Sequence, residues 1–143
     1  MFIGEYQHSI DSKGRMAVPA KFRQTLKKGA VVTRGLDGCL FVYTEGEWKK
    51  LVEKISGLPL SQGKSRAFAR LMLAGAMDVA PDSQGRILIP EYLRSYAGLT
   101  KDTVVAGLYN RLEIWSRTAW EQYKRSTEKE SVKIAEELEG LGV

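Results

Sequence analysis

The residues best equipped for chemistry in this chain occur twice. Asp11-Ser12-Lys13-Gly14-Arg15-Met16-Ala17-Val18-Pro19 returns seventy-one residues later as Asp82-Ser83-Gln84-Gly85-Arg86-Ile87-Leu88-Ile89-Pro90, in the shared frame Asp-Ser-x-Gly-Arg-apolar-x-apolar-Pro. Arginine carries a planar fork of donors that can give two bonds to N7 and O6 of one guanine. Lys13 suits a phosphate and Gln84 a base edge. Gly14 and Gly85 remove a side chain just before each arginine, where a backbone would approach phosphates or bases. The chemistry of this set is recognition of nucleic acid, double-stranded DNA first. A plainer reading is that Asp11 pairs with Arg15, and Asp82 with Arg86, only to brace the turn. An isolated match would favour the brace, whereas its duplication in a basic chain favours binding.

Other chemistry is poorly supplied. Asp11 and Asp82 could form an acid/base pair, but their turn positions already explain them and no nucleophile accompanies them. With one cysteine, Cys39, and one histidine, His8, the chain has no zinc-ligand spacing and no internal disulfide. No metal, cofactor, small-molecule substrate or enzymatic activity is therefore expected. His8 reads as a strand or surface residue and Cys39 as packing in an apolar strand. Trp48 and Trp120, equivalent between the copies, read as core anchors rather than platforms for bases. Lys27-Lys28 reads as a solvated helix end that adds to the local positive field.

The charge balance agrees with an acidic partner. The 143 residues carry a net charge of +5 and a pI near 9.3, and the stretch from Glu121 onward is net acidic, so the positive excess lies in the repeats. A hydrophobic fraction of 43% is that of a globular protein. The longest uncharged apolar stretch, Leu71 to Met77, is too short to span a bilayer. No charged segment followed by an apolar one opens the chain, so a cytoplasmic protein away from the membrane is expected.

The motif must be positioned by repeated elements. Gly4 and Arg23 superimpose on Gly75 and Arg94; after a one-residue slip, Val32, Gly35, Leu36, Leu40 and Trp48 fall on Val104, Gly107, Leu108, Leu112 and Trp120. Two homologous units in tandem follow. Each is predicted to open with a strand (Glu5 to Ile10; Met77 to Ala80) and a type I turn with Asp first and Gly fourth. A second strand then alternates from the arginine, and a short helix starts at the proline (Pro19 to Leu26; Pro90 to Ala97, ended by Gly98). A hairpin follows in each unit: Ala30 to Arg34 with Cys39 to Tyr43, and Thr103 to Leu108 with Leu112 to Trp115. Apolar periodicity predicts helices over Glu47 to Ile55, over Ser65 to Leu73, and from Trp120 through Leu138, with Gly57 to Gly63 as linker and a frayed Gly140-Leu141-Gly142. The expected divisions are repeat domains at 5–47 and 76–119, a helical linker at 48–75 and a C-terminal helix and tail at 120–143. An isolated hairpin is marginal in water. Each must be completed by the equivalent hairpin of the other repeat or by neighbouring chains.

These residues resemble the MraZ family of bacterial transcriptional regulators. The likeness rests on Met1-Phe2-Ile3-Gly4-Glu5-Tyr6-Gln7-His8, on Asp11 to Arg15, on Val18-Pro19-Ala20-Lys21-Phe22-Arg23, on Thr33 to Leu40 and on Arg111 to Ser116, and so covers nearly the whole chain. It implies an α+β, mainly β fold: two SpoVT-AbrB-type domains forming a pseudo-twofold swapped-hairpin (double-psi-like) barrel with flanking helices. It also implies ring-like homo-oligomers, associated with the nucleoid, on short direct repeats upstream of the division and cell-wall gene cluster, regulating their own operon. The family's D-x-x-x-R motif falls on Asp11 and Arg15 and on Asp82 and Arg86. DNA-binding residues are then Lys13, Gly14 and Arg15 with Gln84, Gly85 and Arg86. Lys13 against Gln84, and Ala20-Lys21 against Glu91-Tyr92, suggest that the first tip is the more basic and makes the stronger contact, the second supporting it or facing a neighbouring subunit. The alternative function is an oligomeric scaffold whose tips contact RNA or an acidic protein.

Overall fold

Leu40-Phe41-Val42-Tyr43 is continuously apolar, and Leu112-Glu113-Ile114-Trp115 is interrupted only by Glu113, which pairs with Arg111 and accepts from the Trp115 indole; such strands belong where both faces are covered. In the computed structural model, which describes residues 1–143, all eight of these residues are buried and their strands lie at the centre of a six-stranded antiparallel sheet. The chain runs through β1 (Phe2–Ser9), β2 (Arg15–Ala17), a 3-10 turn (Ala20–Phe22), α1 (Arg23–Leu26), β3 (Ala30–Arg34), β4 (Leu40–Thr44), α2 (Glu45–Ser56) and α3 (Gly63–Ala69). A π turn (Arg70–Ala74) leads to β5 (Met77–Val79), β6 (Arg86–Leu88), α4 (Glu91–Tyr96), β7 (Asp102–Tyr109), β8 (Leu112–Ser116), α5 (Arg117–Lys129) and α6 (Ser131–Glu137). The fold is α+β, with strand order β1-β7-β8-β4-β3-β5 in the large sheet and a separate two-stranded ribbon of β2 and β6.

Every join between the repeats is reciprocal. The first strand of each unit leaves its own hairpin and pairs with the other's: β1 lies along β7, with Tyr6 opposite Val105, and β5 lies along β3, with Met77 opposite Val32. The motif strands pair with each other, Met16 opposite Ile87, and the hairpins meet at β4 and β8, Leu40 opposite Ile114. Completion by the other repeat of the same chain is thus the arrangement observed.

The alternation of β4 and β8 separates two cores. Leu40, Val42, Leu112 and Ile114 face Met16, Val18, Ile87 and Ile89 of the ribbon segments, together with Phe22 and Leu26 from the first short helices and Leu93 of α4. Phe22 closes this core edge-on to Phe2 and Tyr6, with ring centroids at 5.1 and 5.4 Å. Phe41, Tyr43 and Trp115 face the other way, against Ile55, Met72 and the partly buried Trp48, Phe68 and Trp120. Trp48 lies 5.9 Å from Tyr43 and Trp120 lies 5.4 Å from Trp115, so both tryptophans are core anchors.

The differences from the predicted elements have local causes. Thr44 and Ser116 cap their helices by accepting from the amides of Glu47 and Ala119, both at 3.2 Å, so α2 and α5 start upstream of their first apolar residues. The helix predicted to reach Leu73 ends at Ala69 and widens into the π turn, where buried Thr33 donates to the Met72 carbonyl at 2.6 Å. The last helix breaks at Glu130, whose ψ of 10° leaves the helical range, and Glu139–Leu141 close a 3-10 turn where fraying is predicted. No helix is long and apolar enough to cross a membrane.

Candidate nucleic-acid interface

The two motif turns are built alike, bond for bond. The Asp11 carbonyl accepts from the Gly14 amide at 3.0 Å, and its Oδ1 accepts from the amides of Lys13 and Arg15, both at 2.9 Å. The Arg15 guanidinium donates through Nε to Asp11 Oδ2 at 2.7 Å. In the second turn Asp82 takes the amides of Gln84, Gly85 and Arg86, each at 2.9 Å, and the Arg86 Nε at 3.0 Å. These bonds favour the ionised carboxylate. Asp11 is held below the ordinary value of 3.8, first by the Arg15 amide and then by the Arg15 guanidinium and the Lys13 amide, which together outweigh partial desolvation. Asp82 is lowered in the same way, the Arg86 amide first. The brace and the binding reading are compatible, because each arginine spends only its Nε on the aspartate. The Nη groups of Arg15 and Arg86 donate no hydrogen bond within the chain and remain available for a bidentate contact.

The pairing of β2 with β6 decides where those arginines sit. Arg15 lies opposite Leu88 and Ala17 opposite Arg86, while the paired Met16 and Ile87 are buried. Since strand side chains alternate, Arg15, Ala17, Arg86 and Leu88 share the outward face of one ribbon. Arg15 and Arg86 are diagonal neighbours there, with Cα atoms roughly 7–8 Å apart. Both arginines therefore belong to a single surface, so the second does not point away toward a different partner. The turns themselves mark the two ends of the ribbon.

Each end is flanked by the short helix of the opposite repeat. The Gly85 carbonyl accepts from the Val18 amide and the Gly14 carbonyl from the Ile89 amide, both at 2.9 Å. Arg23 Nε donates to the Val18 carbonyl and Arg94 Nε to the Ile89 carbonyl, both at 3.0 Å. Arg23 consequently lies over Gly85, and Arg94 over Gly14. A Cβ on Gly85 would meet Arg23 Nε at 2.5 Å, and one on Gly14 would meet Arg94 Cζ at 3.0 Å. With φ at +85° and +75°, Gly14 and Gly85 are also in the left-handed region that favours glycine. The space that glycine leaves open is thus filled by an arginine of the other repeat. Arg23 and Arg94 lie outside the residues that the motif alone marks for binding, although their equivalence is visible as part of the repeat.

That crossing also changes the expected asymmetry. Helix α1 borders the second turn, where Arg23, Gln24 and Lys27 line a groove with Pro81, Asp82, Ser83, Gln84 and Gly85. The first turn keeps Lys13 and gains Arg94. Cations from both repeats border the ribbon, Lys13 and Arg94 at the first turn and Arg23 and Lys27 at the second, so basic character is not confined to the first turn. His8 is pushed below its ordinary 6.5 by partial burial and by Arg23. Cys39 is buried, donates to the Leu36 carbonyl at 3.2 Å and is raised to about 12, chiefly by burial, as suits a packing residue.

Taken together, the duplicated units, their exchanged strands and a single basic ribbon face define a tandem-repeat protein with one composite surface per chain. The family described as "MraZ protein, putative antitoxin-like" matches residues 1–71 and again residues 72–140. The transcriptional regulator MraZ of Caldanaerobacter subterraneus subsp. tengcongensis is 49% identical over 143 residues, all of both chains. That of Natranaerobius thermophilus is 53% identical over 138 residues, 96% of each, and that of Desulfitobacterium hafniense is 50% identical over the full length of both. The chain belongs to the MraZ family.

Proposed function

We propose that the chain is a transcriptional regulator that binds double-stranded DNA sequence-specifically through the outward face of the β2–β6 ribbon. The observation that carries this reading is the position of Arg15 and Arg86: side by side on one exposed face, each oriented through Nε by its own aspartate, each with its Nη groups free. A two-stranded ribbon fits the major groove, and a diagonal spacing of roughly 7–8 Å is about two base-pair steps. In this reading Arg15 and Arg86 bond guanines, Lys13 holds a phosphate, Gln84 meets a base edge, and Gly14 and Gly85 let the turns close beneath the opposing arginines. The names of the relatives support regulation of transcription.

From the family likeness come the further terms: a ring-like homo-oligomer in the cytoplasm, associated with the nucleoid, on short direct repeats upstream of the division and cell-wall gene cluster that includes its own operon. The repeat domains at 5–47 and 76–119 supply the ribbon, with 48–75 and 120–143 as helical additions. No catalytic step, metal or small molecule enters this reading. Footprinting the full chain on its own upstream region tests it, with protection of regularly spaced direct repeats as the expected result. A folded protein that binds random duplex as well as this region would instead favour the scaffold reading, with RNA or an acidic protein as partner.

A further inference from the structure

We propose that the groove between α1 and the second turn is a phosphate-binding site for the DNA backbone beside the ribbon, with Arg23 and Lys27 as its cations. It rests on the DNA-binding reading above and adds to it residues outside the repeated motif. The groove is lined by Arg23, Gln24 and Lys27 on one side and by Pro81 to Gly85 on the other, with Pro81 its one apolar side chain. Neither cation is neutralised within the chain. Arg23 makes a single hydrogen bond, from Nε to the Val18 carbonyl, and neither Arg23 nor Lys27 forms an ion pair. The carboxylate that borders the groove, Asp82, is already committed to Arg86 and to the amides of its own turn. Of the amides in that turn, those of Gln84, Gly85 and Arg86 are bonded to Asp82, whereas the exposed Ser83 amide has no partner within the chain. Two uncompensated cations and a free amide suit an anion better than an apolar or cationic ligand.

The position of the groove supplies the source of that anion. It opens at one end of the ribbon whose outward face carries Arg15 and Arg86, so side chains that enter the major groove bring α1 toward one of the strands bordering it. At the other end Arg94 overlies Gly14 beside Lys13, giving that end its own two cations. The counterparts of Gln24 and Lys27 in α4 and just beyond it are Ser95 and Gly98, so the groove of the second turn is specific to that end. The phosphate contact at each end thus comes from both repeats, the lysine lying in the motif turn at one and just past the short helix at the other. Phosphate contacts set register and carry no sequence information directly.

The test compares the full chain with its Lys27→Gln and Gln24→Glu variants, both at exposed positions, using a duplex of its upstream region and a random duplex of equal length over a range of salt. Lys27→Gln is expected to weaken both duplexes by the same factor and to flatten the slope of log affinity against log salt by about 0.9 for each subunit in contact. Gln24→Glu, which puts a negative charge in the groove, is expected to weaken both further. Lys28→Gln, next in sequence but outside the groove, is expected to keep the wild-type slope. If Lys27→Gln keeps the wild-type slope, or if Lys28→Gln flattens it equally, while Arg15→Ala and Arg86→Ala lose the upstream duplex, the groove assignment is overturned and the ribbon reading stands. If Arg15→Ala and Arg86→Ala bind as wild type, the ribbon reading itself fails. A Lys27→Gln defect seen on single-stranded RNA and absent on duplex DNA would also overturn the assignment.

Discussion

An arginine that braces a turn and an arginine that reads a base are easily treated as rival explanations, yet in Arg15 and Arg86 the brace uses Nε alone and leaves the Nη groups for the base contact proposed above. Truncating either to alanine should leave the fold intact and remove roughly 1–3 kcal/mol of base discrimination per contact. Because Arg15 and Arg86 share one ribbon face and the same brace, comparable losses are expected for Arg15→Ala and Arg86→Ala in gel-shift titrations; a variant that no longer melts cooperatively would show that bracing is the larger role. The aspartates should be visible in acid. Because Asp11 and Asp82 are lowered below 3.8 in the folded state, the stability they contribute is complete above that value and is lost as pH falls through their lower folded values. His8, lowered from 6.5, acts earlier and in the same direction, since the unfolded chain takes up its proton first as pH drops below 6.5. Denaturation midpoints measured against pH should therefore fall in two stages, the first removed by His8→Gln and the second reduced by Asp11→Asn. Gly85→Ala combines a left-handed backbone, costing roughly 1–2 kcal/mol for an alanine, with a Cβ only 2.5 Å from Arg23 Nε. A lower melting temperature by circular dichroism is expected, together with weaker DNA binding because Arg23 must move.

Among the elements, those set by local chemistry can be read from the chain, whereas completion of each hairpin stays open between the other repeat and a neighbouring chain, and the particular partner of each first strand is not legible. The Asp-x-x-Gly turns, the two hairpins and the short helices opened by Pro19 and Pro90 all follow from turn residues and from apolar alternation within about ten positions. The partner of each first strand does not: nothing in Phe2–Ser9 says that it lies along β7 rather than along its own β3. The same crossing hid part of the candidate site, because Arg23 precedes Asp82 by nearly sixty residues and joins its turn only through the pseudo-twofold pairing. This arrangement makes the halves interdependent. A fragment of residues 1–71 keeps the β3–β4 hairpin but loses the partners of β1, β2 and the free edge of β4, exposing Met16, Leu40 and Val42. Alone it should be unfolded or should pair with a second copy that supplies the missing strands, and adding residues 72–143 in trans should restore a cooperative melt. A monomeric, cooperatively folded 1–71 fragment would contradict the dependence of each repeat on the other.

For the whole molecule, one ribbon face per chain would, on the proposed reading, make assembly the source of site length. A single ribbon spans only a few base pairs, and at about 1–3 kcal/mol per specific contact it cannot discriminate strongly, whereas several ribbons on one duplex add their contacts through avidity. Ribbons related by rotation around a ring face the same way along its rim, so they would meet one side of the duplex at intervals of about one helical turn, on the order of 10 base pairs. Their target is then a set of direct repeats; a twofold dimer would call for an inverted repeat. Inserting about five base pairs between adjacent repeats should carry the next site to the opposite face and cripple binding, while inserting about ten should restore part of it. Equal tolerance of both insertions would refute the ring on direct repeats. Light scattering that found only monomers or dimers at micromolar concentration would refute it independently, and would leave the ribbon face as a lone, weak reader whose specificity must come from another chain.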